Sequence, residues 1–226
     1  MKRLLLFDID GTLVRGGPAK TAFLRAIGQI FGVDGVRDLP DFSGKTDPQI
    51  ARELLRGEGF EDRGIDAGLD ALWSVYVEEL ERRLPEQPMR VLPGVLPLLQ
   101  HLEEEGVGLG LITGNIVDGA RLKLESVDLM GYFPIGSYGS DSEIRNDLPA
   151  VAMRRAATKW GRIFHPASVV VVGDTPRDVA CGKHGGTRTV AVATGKFPPD
   201  TLEAAGADRV LQDLGDLHKA VEALLV

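Results

Sequence analysis

The feature that most constrains the fold of this chain is the apolar run LLLF at residues 4–7, which is followed at once by DIDG at residues 8–11. Four apolar residues in succession predict a short strand that is buried on both faces, as in a parallel sheet. Two carboxylates directly after such a strand are costly to bury unless a partner stabilises their charge. They fit either a turn that ends the strand or a site for a hard cation such as Mg²⁺.

The periodicity of the sequence changes near residue 90. Before it, apolar residues recur at helical spacing, as at positions 19, 22, 23, 26, 27, 30 and 31, and no strand pattern occurs after residue 14. Beyond it, helices alternate with buried apolar runs, of which residues 107–113 and 168–173 are the plainest. We therefore predict an α/β fold: a Rossmann-like parallel sheet core, residues 1–13 and 91–226, with an all-helical cap domain, residues 14–90, inserted after the first strand.

Composition excludes several classes of function. The net charge of −7 and the isoelectric point near 5.2 argue against a general nucleic-acid or anionic-membrane binder. No apolar run approaches the length of a membrane span. The single cysteine, Cys181, rules out a disulfide within the chain, and a cytoplasmic setting is the simplest expectation. The oligomeric state is left open.

Polar residues follow three of the predicted strands. They are the DIDG run at residues 8–11, TGN at 113–115 and GDTPRD at 173–178. In an open α/β sheet the carboxyl ends of the strands lie on one rim, where ligands bind. Each run alone is a weak signal, but together they bring several carboxylates into one crevice, where they would repel each other without a cation. This convergence favours the Mg²⁺ site over the simple turn.

The same three runs resemble ordered signature motifs of the haloacid dehalogenase-like hydrolases. The matching stretches are Asp8-x-Asp10-Gly11-Thr12-Leu13, Leu111-Ile112-Thr113-Gly114-Asn115 and Gly173-Asp174-Thr175-Pro176-x-Asp178. The resemblance covers the whole chain, including a helical cap after the first strand. Within the superfamily the chain is most similar to the phosphoglycolate phosphatase-type group.

The resemblance implies a role for each matched residue. Asp8 would be the nucleophile that forms an aspartyl phosphate, and Asp10 would protonate the leaving group and later deprotonate water. Mg²⁺ would be held by Asp8, the backbone carbonyl of Asp10 and Asp174, with Asp178 either on the metal or just outside its ligands, and we expect these four carboxylates to converge. Thr113 would be a catalytic residue that binds the phosphoryl oxygens. The further phosphate- and substrate-binding candidates are Gly11, Thr12, Gly114, Asn115 and, in the cap, Lys45.

One motif departs from the family pattern. The family usually has a Lys before the helix that precedes the third strand, but residues 142–149 read SEIRNDLP and contain none. Counting back from Pro149 gives Asn146 at the Lys position, whereas the only cation of this stretch is Arg145. We expect Arg145 to take the catalytic role, because its forked guanidinium can bridge phosphate and carboxylate. The sequence leaves the choice between the two residues open.

The resemblance predicts a Mg²⁺-dependent phosphatase that acts on a small phosphorylated metabolite. A phosphomutase of the β-phosphoglucomutase kind is the nearest alternative, since it uses the same pair of aspartates. A receiver-like phospho-acceptor and a non-catalytic binding protein belong to other classes; the helical insertion and the intact motif residues, respectively, argue against them. The substrate is not named by the sequence.

Overall fold

The computed structural model describes residues 3–33, 35 and 41–226. The strands in chain order are β1 (Leu4–Phe7), β2 (Val14–Gly16), β3 (Met89–Val91), β4 (Gly108–Ile112), β5 (Gly136–Ser137), β6 (Val169–Gly173), β7 (Arg188–Val192) and β8 (Arg209–Leu211). The helices are α1 (Ala19–Phe31), α2 (Asp47–Gly57), α3 (Asp62–Arg83), α4 (Val95–Glu104), α5 (Val117–Glu125), α6 (Leu148–Trp160), α7 (Pro176–His184), α8 (Pro199–Ala204) and α9 (Leu217–Leu225). Residues 1–2 of the expected core and 34 and 36–40 of the expected cap lie outside the described part.

Six of the described strands form one parallel sheet in the order β5-β4-β1-β6-β7-β8. The first strand therefore lies in the middle of the sheet, between β4 and β6. In this register Phe7, the last residue of β1, is opposite Leu111 and Val172. The polar runs that follow these three strands consequently leave the sheet side by side, and the predicted parallel α/β core is confirmed.

The side chains of β1 alternate between two apolar layers, which is why its sequence is a continuous apolar run. Leu5 and Phe7 pack in a large cluster that includes residues of α4, α5 and α9, whereas Leu4 and Leu6 pack on the other face against α6. All four side chains are fully buried. Helices therefore cover both faces of the sheet.

The stretch predicted as the cap, residues 14–90, is helical in its body as expected, but it has a short strand at each end and so is not all-helical. Helices α1, α2 and α3 make up its body, but β2 and β3 pair antiparallel at its two ends, with Val14 opposite Val91 and Gly16 opposite Met89. Strands of three residues are too short to show a period of two. Their pairing joins the start and the end of the insertion, so only the tertiary structure brings them together.

The helices of the insertion share one apolar core. Phe23 of α1 packs edge-on against Tyr76 of α3, with ring centroids 5.6 Å apart. Helix α2 begins with Thr46 as its N-cap, whose hydroxyl accepts a hydrogen bond from the Gln49 N–H, and has Pro48 in its first turn. No helix in the described ranges combines the length and the apolar character that crossing a membrane requires.

Candidate active site

Three buried carboxylates meet at the ends of β1 and β6. One oxygen each from Asp8, Asp174 and Asp178 lies within 4.8 Å of the others. Asp178 is fixed by a capping box at the start of α7: its Oδ2 accepts hydrogen bonds from the Thr175 N–H (3.0 Å) and hydroxyl (2.7 Å). The spacing of Thr175 and Asp178 in the sequence therefore sets the position of this carboxylate.

Burial makes the charged forms of two of these groups unfavourable. Desolvation raises the pKa of Asp8 to about 7, because it outweighs the attraction of Arg145, and raises the pKa of Asp174 to about 8, with added repulsion from Asp178 and Asp8. A hard divalent cation would relieve this repulsion, and carboxylate oxygens are the donors it prefers. The donor set thus fits Mg²⁺.

The three carboxylates differ in how many oxygens they have free. Both oxygens of Asp178 are engaged, Oδ1 by Arg145 and Oδ2 by Thr175. Among the described residues, the side-chain hydrogen bond that Asp174 accepts is a long one, 3.4 Å from the Thr12 hydroxyl. The chain approaches Asp174 closely at Gly11, which has a φ of +87° and where a β-carbon would collide with Asp174 Oδ2. Asp8 and Asp174 are therefore better placed than Asp178 to offer oxygens to a metal ion.

Arg145 supplies the cation of this cluster. Its side chain is buried, and its Nη2 donates hydrogen bonds to Oδ1 of Asp8, at 3.0 Å, and to Oδ1 of Asp178. The two carboxylates raise the pKa of Arg145 above its ordinary value although burial lowers it. Asn146, the alternative from the sequence, lines a groove beside α2 that Arg145 also borders, but it is not among the residues of the cavity that the carboxylates line. The structure thus brings Arg145, and not Asn146, to the carboxylates.

Asp10 lines the same cavity but is not one of the three carboxylates whose oxygens lie within 4.8 Å of one another, and the expected convergence of all four stays a prediction. Asp10 Oδ2 accepts hydrogen bonds from Lys123 Nζ, at 2.6 Å, and from Asn115 Nδ2, at 2.8 Å. Lys123 Nζ also donates to Asn115 Oδ1 at 2.6 Å. The buried ammonium and the amide thus fix the position of the Asp10 carboxylate.

Lys123 was not among the predicted site residues, although its place in the sequence carries a signal. Lys123 is 2% exposed and lies on the buried face of α5 together with Gly119, Ala120 and Leu124. A cation on the apolar side of an amphipathic helix needs a partner, because burying an unpaired charge is very costly. Its partner is at the end of β1, which only the sheet register brings near.

The residues that follow β4 occupy the same rim. Thr113 is fully buried, and its hydroxyl accepts hydrogen bonds from the Asn115 backbone N–H (3.3 Å) and side-chain Nδ2 (2.8 Å). Gly114 leaves room for the inserted segment, since a β-carbon there would collide with the Lys45 carbonyl. Both line the cavity, as do Gly11 and Asn115, whereas Thr12 does not.

A cavity of about 410 Å³ lies between this rim and the inserted helices. Its wall combines the carboxylates with aromatic and basic side chains of the insertion and of the loop after β7. Lys45 lines the cavity as expected, but its ammonium is paired with Glu53 of α2. The aromatic and further basic residues of the wall are Phe23, Phe42, Tyr76, Arg15, Lys20 and Lys196.

The start of α2 is hydrogen-bonded to the rim. The Asp47 N–H donates to the Gly114 carbonyl at 2.7 Å, and Asp47 Oδ2 accepts from the Ile116 N–H at 2.8 Å. Desolvation raises the pKa of Asp47 to about 6, against the attraction of Lys123. The insertion therefore forms one wall of the cavity and contacts the loop that follows β4.

Comparisons with known proteins agree with this architecture. The model for haloacid dehalogenase-like hydrolases matches residues 2–186. The chain is 28% identical to phosphoglycolate phosphatase of Synechococcus elongatus, over 98% of both chains. It is also 28% identical to the N-acetylmuramic acid 6-phosphate phosphatase of Pseudomonas putida, over 99% of this chain and 97% of the relative. Among solved structures, a hydrolase from Pseudomonas syringae superposes with a TM-score of 0.72, 23% identity and 99% coverage of both chains.

Proposed function

The chain belongs to the haloacid dehalogenase-like hydrolases and is a phosphoric monoester hydrolase, and we propose that it uses Mg²⁺ and an aspartyl phosphate on Asp8 to hydrolyse a small phosphorylated metabolite. One observation carries the proposal. Asp8 lies in the cavity wall near Asp174 and accepts a hydrogen bond from the Arg145 guanidinium, while Asp10 is held separately by Lys123. A nucleophile and an acid–base group thus have different surroundings, although both are aspartates.

The proposed reaction has two displacements at phosphorus. In the first, an oxygen of Asp8 attacks phosphorus, the ester P–O bond breaks, and Asp10 gives its proton to the leaving alkoxide oxygen. In the second, Asp10 takes a proton from water as the water oxygen attacks the aspartyl phosphate. The Asp8–phosphorus bond then breaks and releases inorganic phosphate, so both aspartates return to their starting states.

The remaining residues of the rim would bind the metal ion, bind the phosphoryl group or orient Asp10. Asp8, Asp174 and the Asp10 carbonyl would bind Mg²⁺, which neutralises charge on the transferring phosphoryl group when bound. Since both oxygens of Asp178 are engaged, we place it next to the metal ligands rather than among them. Arg145 and the Thr113 hydroxyl would bind phosphoryl oxygens. Lys123 and Asn115 would orient Asp10 toward the leaving oxygen.

The substrate is proposed as a small anionic phosphate ester. Residues 14–90, which we propose as the cap, bring Arg15 and Lys20 to the cavity wall, and the loop after β7 adds Lys196. The volume of about 410 Å³ suits a metabolite rather than a macromolecule. The two named relatives act on different esters at equal identity, so both phosphoglycolate and N-acetylmuramic acid 6-phosphate belong in the assay.

The test is phosphate release by the purified chain from a panel of phosphate esters, with Mg²⁺ and with excess chelator. We expect Mg²⁺-dependent release from one or a few small anionic esters. Full activity in chelator would contradict the metal assignment. Isomerisation of a sugar phosphate with slow loss of phosphate to water would identify a mutase instead.

A further inference from the structure

The segment that leads into Arg145, residues 142–144, is half-buried to exposed. Ile144 has 63% of its surface exposed, so apolar burial does not fix residues 142–144. In the part of the chain that the structure describes, the hydrogen bonds of the Ser142 hydroxyl are local: it accepts from the Ile144 N–H at 3.1 Å and donates to Asp147 Oδ2 at 2.8 Å. The position of this segment has to come from other contacts.

Glu143 is held by the inserted helix α2 at two points. Its carbonyl accepts a hydrogen bond from the Thr46 hydroxyl at 2.7 Å, and its carboxylate oxygens lie 3.0 and 2.9 Å from Arg52 Nε. Arg52 also has a second partner, because its Nη2 donates a hydrogen bond to Asp66 of α3 at 2.7 Å. Within the described ranges, these are the hydrogen bonds that connect residues 142–144 to another helix or strand.

We propose that Glu143 is a positioning residue for Arg145, and that Arg52 of α2 holds Glu143 in place. Two residues after Glu143, a single nitrogen of Arg145 has to reach Asp8 and Asp178 together. Beyond Arg145 the chain is held again, since the Cys181 thiol lies 3.1 Å from the Arg145 carbonyl. A shift at Glu143 therefore moves the guanidinium relative to Asp8.

The proposal rests on the proposed function, because Arg145 is taken to bind the phosphoryl group. It adds that a cation of the core depends on a side chain of the insertion for its position. Small displacements matter here, because catalytic groups act only over a narrow range of geometry.

The chain offers a matched control one turn further along α2. Arg56 donates from Nε and Nη2 to the two carboxylate oxygens of Asp62, each at 2.7 Å. Both side chains are more than half exposed, and the pair lies entirely within the insertion. Asp62 Oδ1 also lies 3.5 Å from Arg52 Nη1, so the two ion pairs share an acceptor. Arg56→Gln therefore removes an ion pair of the same helix while both Arg52 and Glu143, with the hydrogen bonds between them, remain.

The experiment compares kcat and KM of Arg52→Gln, Glu143→Ala and Arg56→Gln, well below the melting temperature of each. We expect kcat to fall about tenfold for the first two, less than the ~10²-fold that a misplacement of 1 Å can cost. Arg56→Gln should stay within about twofold of the wild type, as an exposed ion pair contributes little.

Repeating the Glu143→Ala substitution in an Arg145→Gln variant distinguishes a positioning role from a general structural role. In an Arg145→Gln variant, adding Glu143→Ala should not lower the residual kcat further, because the group that Glu143 positions is gone. A purely structural role would lower kcat by the same factor in both backgrounds, and that result would overturn the proposal.

A measurement that does not depend on turnover allows this proposal to be tested separately from the proposed function. Arg145 Nε is buried and has no hydrogen-bond partner among the described residues, so its N–H resonance reports on the guanidinium directly. We expect that resonance to shift in Glu143→Ala and not in Arg56→Gln. An unmoved resonance, or a kcat of Glu143→Ala equal to that of the control, would refute the positioning role. A shifted resonance in a protein that hydrolyses no ester would instead refute the proposed function alone.

Discussion

Arg145 and Lys123 are both buried cations of the same cavity, but they hold different carboxylates. Arg145 bridges Asp8 and Asp178, whereas Lys123 bridges Asp10 and Asn115. Asp8 and Asp10 are only two residues apart, so it is the cations supplied by other elements that give them different environments. The comparison shows how one short motif can provide a nucleophile and an acid–base group from a single residue type.

The largest effect is expected from Asp8→Asn, which replaces the carboxylate that Arg145 binds. An amide cannot form the aspartyl phosphate, so kcat should fall by about 10⁴-fold or more, as for other lost nucleophiles. Acid-quenched reactions with labelled substrate should show phosphoenzyme in the wild type and none in the variant. Retention of acid-stable label by folded Asp8→Asn would place the nucleophile elsewhere.

Asp10→Asn tests whether the second carboxylate has a separate role. Turnover of alkyl phosphates should fall by about 10²- to 10⁴-fold, the usual contribution of a general acid–base group. A nitrophenyl ester, whose leaving group needs little protonation, should lose much less in the first step and accumulate phosphoenzyme. Wild-type turnover of alkyl phosphates by this variant would disprove the role of Asp10.

Lys123→Met sharpens the comparison, because it disturbs Asp10 while leaving Arg145 in place. We expect a loss of about ten- to a hundredfold on alkyl phosphates, within the range of a displaced acid–base group, and a smaller loss on the nitrophenyl ester. Arg121→Met is the control, since Arg121 lies on the same helix but is exposed and pairs with Glu125. Equal losses on both kinds of ester would mean that Lys123 does not act through Asp10.

The smallest effect is expected in the pH dependence of stability. The pKa values of Asp8 and Asp174 in the folded protein, about 7 and about 8, lie above the value of 3.8 in the unfolded chain. At a pH between the unfolded and the folded values, the folded state therefore binds more protons than the unfolded state. In chelator, the free energy of unfolding should therefore fall as pH rises from about 4 to about 8. Asp174→Asn should remove about 1–3 kcal/mol of that fall.

Chemical denaturation at pH 5 and pH 8, with and without Mg²⁺, measures this effect. Added Mg²⁺ should recover stability mainly at pH 8, where it binds the ionised carboxylates. A stability that does not change from pH 5 to pH 8 in chelator would contradict the raised pKa values.

The local pattern of residues was enough to predict much of the core and part of the site. The apolar runs of β1, β4 and β6 predicted the parallel sheet, since strands buried on both faces are continuously apolar. The order of the polar runs after them predicted the rim where Asp8, Thr113 and Asp174 meet. Arg145 was predicted because the family that the chain resembles usually has a Lys before this helix, and Arg145 is the only cation among residues 142–149.

By itself, then, the sequence determined the α/β core, the inserted helices and the acids of the rim, because these depend on periodicity and on the residues directly after each strand. Only the tertiary structure decided that Lys123 meets Asp10, that β2 pairs with β3, and that Glu143 is held by Arg52. Each of these contacts joins residues more than 70 positions apart, and no local pattern of hydrophobicity or charge records which distant residue will be the partner.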